Sequence, residues 1–190
     1  MRLWGVDSKE DIAKTLAVFG AFTEGLQLFA SFAVLMNFPR QNRMKGMGQI
    51  VTWSVRDETL HTESAIKLFK TFIEENPEVW NDKVKEEITN ACSTVIEHED
   101  AFINLAFELG GVKGMEADEV KQYIRYIADR RLSQLGLPHL YNIEKNPLPW
   151  MDEMLNAVEH TNFFEGRATE YSRAATTGSW SKTFETAFGA

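Results

Sequence analysis

Residues 16–36 read LAVFGAFTEGLQLFASFAVLM, and residues 51–64 read VTWSVRDETLHTES. The first run is apolar and long enough to cross a bilayer. Glu24 and Gln27 interrupt it at the middle, and no positive flank marks an orientation. A charge at membrane depth is costly, so the run reads as a helix buried on nearly all sides inside a protein and not as a span. Gly20, Ala21 and Leu28 lie one turn from Glu24, with Phe32 two turns on. An ionised carboxylate in such company must be paired, must bind a cation or must take up a proton. For a lone acid the ordinary outcome is an ion pair with an arginine from another helix.

The second run shifts that balance. Glu58 and His61 are three residues apart and share one helix face, so a carboxylate oxygen and an imidazole nitrogen can meet one metal ion. Val51, Ser54 and Val55 before the pair, and Ala65 after it, set it beside an apolar stripe. Alone, Glu-x-x-His is a weak motif whose ordinary reading is a satisfied histidine next to a surface acid. A Glu on one core helix followed by Glu-x-x-His on the next is more specific. It is half of the carboxylate-bridged di-metal pattern, which takes a Glu from each of two helices and Glu-x-x-His from each of two others. Glu24, Glu58 and His61 are therefore the candidate metal ligands.

The rest of the chain fits a globular host for such a site. It has 190 residues, 44% of them hydrophobic and 25% charged, enough for one domain with a sizeable core. Twenty Lys and Arg against 28 Asp and Glu give a net charge of −8. That sign disfavours nucleic acid and anionic membrane as partners. The single cysteine, Cys92, excludes a disulfide framework and a thiolate zinc site, and suits a cytoplasmic location. The opening MRLWGVDSKED turns acidic where a secretory signal would turn apolar, so none is expected.

The pattern is helical throughout. Ser8 and Asp11 imitate a capping box and open a helix to about Asn37, which Pro39 should stop. A second helix is expected from about Gly46 to Glu75, before Pro77. A third starts from the cap-forming Asn81 and Asp82 and stops at Gly110-Gly111. A fourth covers roughly 116–135 and ends at Gly136, and a short fifth covers about 151–158. Long helices with short turns predict an antiparallel bundle. Acids at Glu97, Glu99, Asp100 and Glu108 around His98 face in scattered directions and predict a solvated helix face. The Arg130-Arg131 pair should tie helices together. Residues 1–160 form the bundle in this reading and 161–190, rich in Ser, Thr, Gly and Ala, a C-terminal tail. In that tail Trp180, Phe184 and Phe188 recur every four residues, as in a docking stripe or a segment closing back on the chain.

Several segments together carry a family resemblance. TLAVFGAFTEGLQLFASF followed by WSVRDETLHTES resembles the second metal-binding helix pair of the class I ribonucleotide reductase small subunit. ADRRLSQLGL, NPLPW and NFFEGRATEYSRA resemble that family's C-terminal part in the same order. The resemblance implies an all-α, ferritin-like helical bundle, here lacking the N-terminal helix pair, with Glu24, Glu58 and His61 as ligands. It implies that Asp57 is the acid joining the metal site to a radical-transfer route. Leu28, Phe32 and Ser54 would pack around the radical, and Glu165 and Tyr171 would pass it between subunits. The implied partners are the large catalytic subunit, a second copy in a homodimer and a separate N-terminal half. The implied cofactor is a di-iron, iron/manganese or di-manganese centre in the complete subunit.

The departures from the family pattern are equally legible. His98, His139 and His160 have Val95, Gly136 and Ala157 three positions earlier, so there is no second Glu-x-x-His. Tyr123, Tyr126, Tyr141 and Tyr171 all fall outside the two ligand helices. The chain thus resembles the C-terminal half of a small subunit, whose three ligands should hold one metal weakly or none. Two alternatives stand beside this reading: a ferritin-like di-metal oxidase without a radical partner, and a helical module that binds no metal.

Overall fold

A computed structural model of the chain describes residues 7–159. Helix α1 (Lys9–Ala17) runs into a wide π segment (Val18–Glu24), a turn, and α2 (Phe29–Arg40). Helix α3 (Lys45–Glu75) folds back along all three, so that Gly20 meets Ala65 and Met36 meets Thr52. A 3₁₀ turn (Pro77–Val79) leads to α4 (Asp82–Phe107), which pairs with α5 (Ala117–Leu135), and α6 (Pro149–Glu159) ends the described chain. No strand occurs among the described residues; Val112 and Met115 form one isolated bridge. The all-α bundle expected from the pattern is the fold observed.

Each boundary has a local cause. The Ser8 hydroxyl oxygen accepts from the Asp11 N–H at 3.1 Å, a proper N-cap. The expected reciprocal half of the capping box does not form, because Ser8 donates its own hydroxyl proton to Asp11 Oδ2. Asn81 caps α4 by accepting from the Val84 N–H at 3.0 Å. Gly136, at φ +79°, lets the Leu137 N–H reach back to the Leu132 carbonyl at 2.9 Å and close α5.

Two expected stops are moved. Pro39 lies inside α2, whose helix continues to Arg40. In the last turn the proline removes one donor, and the Gln41 N–H still closes onto Asn37 and Phe38. Helix α4 ends at Phe107, before the expected Gly110-Gly111, with Gly110 itself at φ +127°.

The core lies where α1 to α5 meet, around Phe22, Leu26, Phe69, Ile88, Tyr123, Ile124 and Leu132, all fully buried. Lys9–Arg40 passes for a membrane helix by length and composition, but 56% of its most apolar window is buried inside the protein. The expectation of a solvated face around His98 fails at Glu99. That side chain is buried among the α4 positions that face the core, Val95, Ile96 and Ile103, whereas Glu97 and His98 point outward.

Candidate metal centre

The helix carrying Glu24 is not the continuous α-helix that its apolar pattern suggests. Over Val18–Glu24 it widens to π geometry, and beyond it the Gln27 N–H reaches the Phe22 carbonyl five residues back at 3.0 Å. Wide turns of this kind are rare and cluster at functional sites, because the extra residue re-aims the side chains beyond it. One glycine lies inside the wide segment and another directly follows it. A Cβ on Gly20 would stand 2.4 Å from Ala65 Cβ, so only glycine lets this segment lie so close to α3. At Gly25 a Cβ would strike the Ala21 carbonyl, the Arg131 guanidinium and the Thr62 methyl, all within 2.9 Å.

Arg131 is the device that holds this turn. Its Nε–H donates to the Gly25 carbonyl at 2.9 Å, and its Nη1 donates to Gln134. The guanidinium also lies 5.6 Å from the Phe29 ring. It thus satisfies a carbonyl that the broken helix leaves without an intrahelical partner. Burial, with Arg130 beside it, holds its pKa down to about 10, so it remains a cation at neutral pH. The expectation that the arginine pair ties helices together is met by Arg131, which joins α5 to the ligand segment. Arg130 is exposed beside the Tyr126 ring.

With the segment so fixed, the expected ligands converge. One ligand atom from each of Glu24, Glu58 and His61 lies within 4.8 Å of the others. His61 Nδ1 stands 3.6 Å from Glu24 Oε2 and 3.7 Å from Glu58 Oε2. Donors at about 2.1 Å from one ion stand roughly 3.0–3.4 Å apart, so a small closing movement suffices for a cation. Two carboxylates and an imidazole suit a first-row divalent metal such as iron or manganese. Glu24 is therefore neither fully buried nor paired with an arginine in the described residues; its side chain keeps 23% exposure, and that of His61 keeps 57%. The ligand set opens on a surface.

The other expected residues are distributed differently. Asp57 is exposed on α3 directly before Glu58. Phe32 is buried, 5.8 Å ring to ring from Phe29, but Leu28 and Ser54 are exposed, so only Phe32 of that trio is packed. Ser54 donates to its own helix at Ile50. Glu165, Tyr171 and the aromatic stripe of Trp180, Phe184 and Phe188 lie outside the described residues. Sequence reasoning missed the π turn and the Arg131 contact. Their signal was present in the glycines five apart that bracket Glu24.

A helical bundle that offers one Glu and one Glu-x-x-His to a shared point defines a protein of the ferritin-like, carboxylate-ligand class. Residues 2–147 match the family model for the ribonucleotide reductase small chain, and the chain belongs to that family. It is 48% identical over 180 residues to a protein named as a ribonucleoside-diphosphate reductase small subunit in Invertebrate iridescent virus 3, covering 94% of this chain and 48% of the relative. The ribonucleoside-diphosphate reductase subunit beta of Chlamydia pneumoniae is 36% identical, with 90% and 50% covered. The solved ribonucleotide reductase R2 subunit of Clostridium botulinum shares the fold, with a TM-score of 0.73 at 23% identity over 78% of this chain and 46% of that one. The chain spans about half the length of the curated relatives it matches.

Proposed function

We propose that this chain is the ligand-bearing C-terminal half of a class I ribonucleotide reductase small subunit, serving deoxyribonucleotide synthesis in DNA replication. The convergence of Glu24, Glu58 and His61 on one point carries the reading. In the complete centre, iron, manganese or one of each supplies the oxidising equivalent that a large subunit uses to reduce ribonucleotides. The residues of this chain hold the metals from one side. Glu24 and Glu58 offset the cation charge, His61 supplies a neutral nitrogen donor, and Arg131 and Gly20 fix the segment that aims Glu24. Asp57 stands next to Glu58 at the entry of the radical route. Glu165 and Tyr171, in the tail from residue 161 onward, complete the route to the large subunit. The bundle acts in the cytoplasm beside a second copy and the helix pair that carries the remaining ligands.

Support for this reading over a metal-free helical module lies in the donor set, in which two carboxylates meet one histidine and, among the described residues, no lysine or arginine. The test is reconstitution. Mixed with a polypeptide that carries the family's first ligand pair, the chain should take up two metals per complex and, with the large subunit, reduce nucleotide. Tyr171→Phe removes only the phenolic O–H; it should leave metal and subunit binding intact and abolish turnover. Full turnover by that variant would end the relay role of Tyr171; two bound metals without any nucleotide reduction by the unsubstituted chain would favour a di-metal oxidase.

A further inference from the structure

Thr62 is adjacent to all three ligand positions, by sequence, by helix turn and by contact. It directly follows His61 on α3, and Glu58 lies four residues before it on the same helix face. Across the seam its methyl carbon packs on Gly25, the residue after Glu24, 2.9 Å from where a Cβ on that glycine would stand. Arg131 Nε comes to the same point from α5, at 2.8 Å.

The hydroxyl of this residue does not suit a packed seam. Thr62 is fully buried, and its Oγ1 has no hydrogen-bond partner among the described residues. A helix offers threonine a ready acceptor in the carbonyl four residues back. Thr52, Ser54 and Thr59 on the same helix all take it, at 2.9, 3.3 and 2.7 Å. Thr62 does not; the rotamer that lays its methyl on Gly25 leaves the hydroxyl off the Glu58 carbonyl. An orphaned buried hydroxyl is a cost to the fold that valine, of the same shape, would avoid.

We propose that Thr62 is a positioning residue for the metal centre, whose hydroxyl donates to the Glu58 carboxylate once a cation holds that side chain in place. The inference rests on the metal reading of Glu24, Glu58 and His61. In the metal-free chain the Glu58 side chain keeps 23% exposure, so solvent meets its oxygens and nothing fixes it over Thr62. A carboxylate that ligates a cation gains a single orientation when a neighbouring donor takes its other oxygen. Thr62 offers such a donor one helical turn away. Its hydroxyl is already stripped of water, so the charge-assisted bond forms without further desolvation of the donor. The cost that the hydroxyl brings to the empty fold is thereby recovered in the loaded one.

The test uses the full chain, with Co²⁺ binding read by visible absorption and metal-free stability read by thermal unfolding. Thr62→Val keeps the shape and removes the donor. It should raise the metal-free Tm by about 2 °C and lower Co²⁺ affinity by about tenfold. Thr62→Ser keeps the donor and removes the methyl from Gly25. It should lower the Tm and hold the Co²⁺ affinity that Thr62→Val loses. A purely structural role moves stability and affinity together, whereas a donor to a ligand moves them apart. Unchanged affinity in Thr62→Val would overturn the inference, as would an equal loss of affinity in both variants. A lower Tm in Thr62→Val would overturn it too, because the hydroxyl would then already be partnered in the empty site. A Co²⁺ site of equal affinity with and without the hydroxyl removes this inference alone; no Co²⁺ site in the unsubstituted chain removes the metal reading with it.

Discussion

The α4–α5 side of the molecule and the π-segment–α3 face handle charge in opposite ways. On the first, carboxylates find partners within the chain. Asp100 takes both arms of Arg125, at 2.9 and 2.6 Å. Asp129, almost fully buried, accepts the backbone N–H groups of Leu140, Tyr141 and Ile143 at 2.8–3.0 Å. It thereby fixes the connection that leads to Asn146 and α6. On the second, Glu24 and Glu58 face one another and a histidine, with no lysine or arginine among their described contacts. The same residue types thus build a framework in one region and leave donors for a cation in the other. Framework acids should matter to stability, and ligand acids to binding.

The largest expected effect separates the two regions most sharply. Asp129→Ala leaves three backbone donors without their acceptor and should cost roughly 3 kcal/mol in denaturant unfolding. Loss of less than a third of that would mean that water replaces the carboxylate. Next, Gly20→Val forces the π segment off Ala65 and should cost roughly 2 kcal/mol, while also moving Glu24 out of range of His61. Metal affinity should fall together with stability in this variant, and intact affinity would show that the wide turn is not what aims Glu24.

Glu99 is the exception on the framework side, and it sharpens the comparison. One of its oxygens is buried without a hydrogen-bond partner. Burial, with Asp100 adjacent, pushes its pKa up to about 7. The folded state therefore holds a proton that the unfolded chain releases near the ordinary 4.5. Stability contributed by the neutral form is complete at low pH and is lost as pH rises through 7. About 2 kcal/mol should disappear between pH 5 and pH 8 in unfolding titrations, and Glu99→Gln should flatten that slope. An unchanged slope in the variant would assign the pH dependence elsewhere.

The smallest effect is the most telling for the other region. His61→Ala, at an exposed position, should change metal-free stability by no more than about 0.5 kcal/mol. A larger loss would make His61 part of the framework.

Much of this was legible in the sequence because helix period and capping chemistry are local. Asn81, Gly136 and the Glu-x-x-His spacing each announce their role within a few residues. The pairing of Glu24 with Glu58 and His61 was legible from chemistry, since an acid in an apolar run needs a partner and the next helix offered one. The π turn was not, because hydrophobic pattern does not distinguish a widened turn from an ordinary one, and tertiary contact with Ala65 and Arg131 decides it. Glu99 was misread for a related reason. Sequence gives the direction of a side chain around α4, but whether that direction is core or solvent depends on where α5 lies.

The central claim is that Glu24, Glu58 and His61 form a metal-binding half-site that the fold does not need for its own stability. A Co²⁺ titration of the full chain, followed by visible absorption, addresses it most directly. The account predicts one weakly held ion per chain, with the ligand-field bands lost in Glu24→Gln, Glu58→Gln and His61→Ala while far-ultraviolet dichroism stays unchanged. Bands that survive in all three variants, or a helical signal that collapses with each of them, would contradict it.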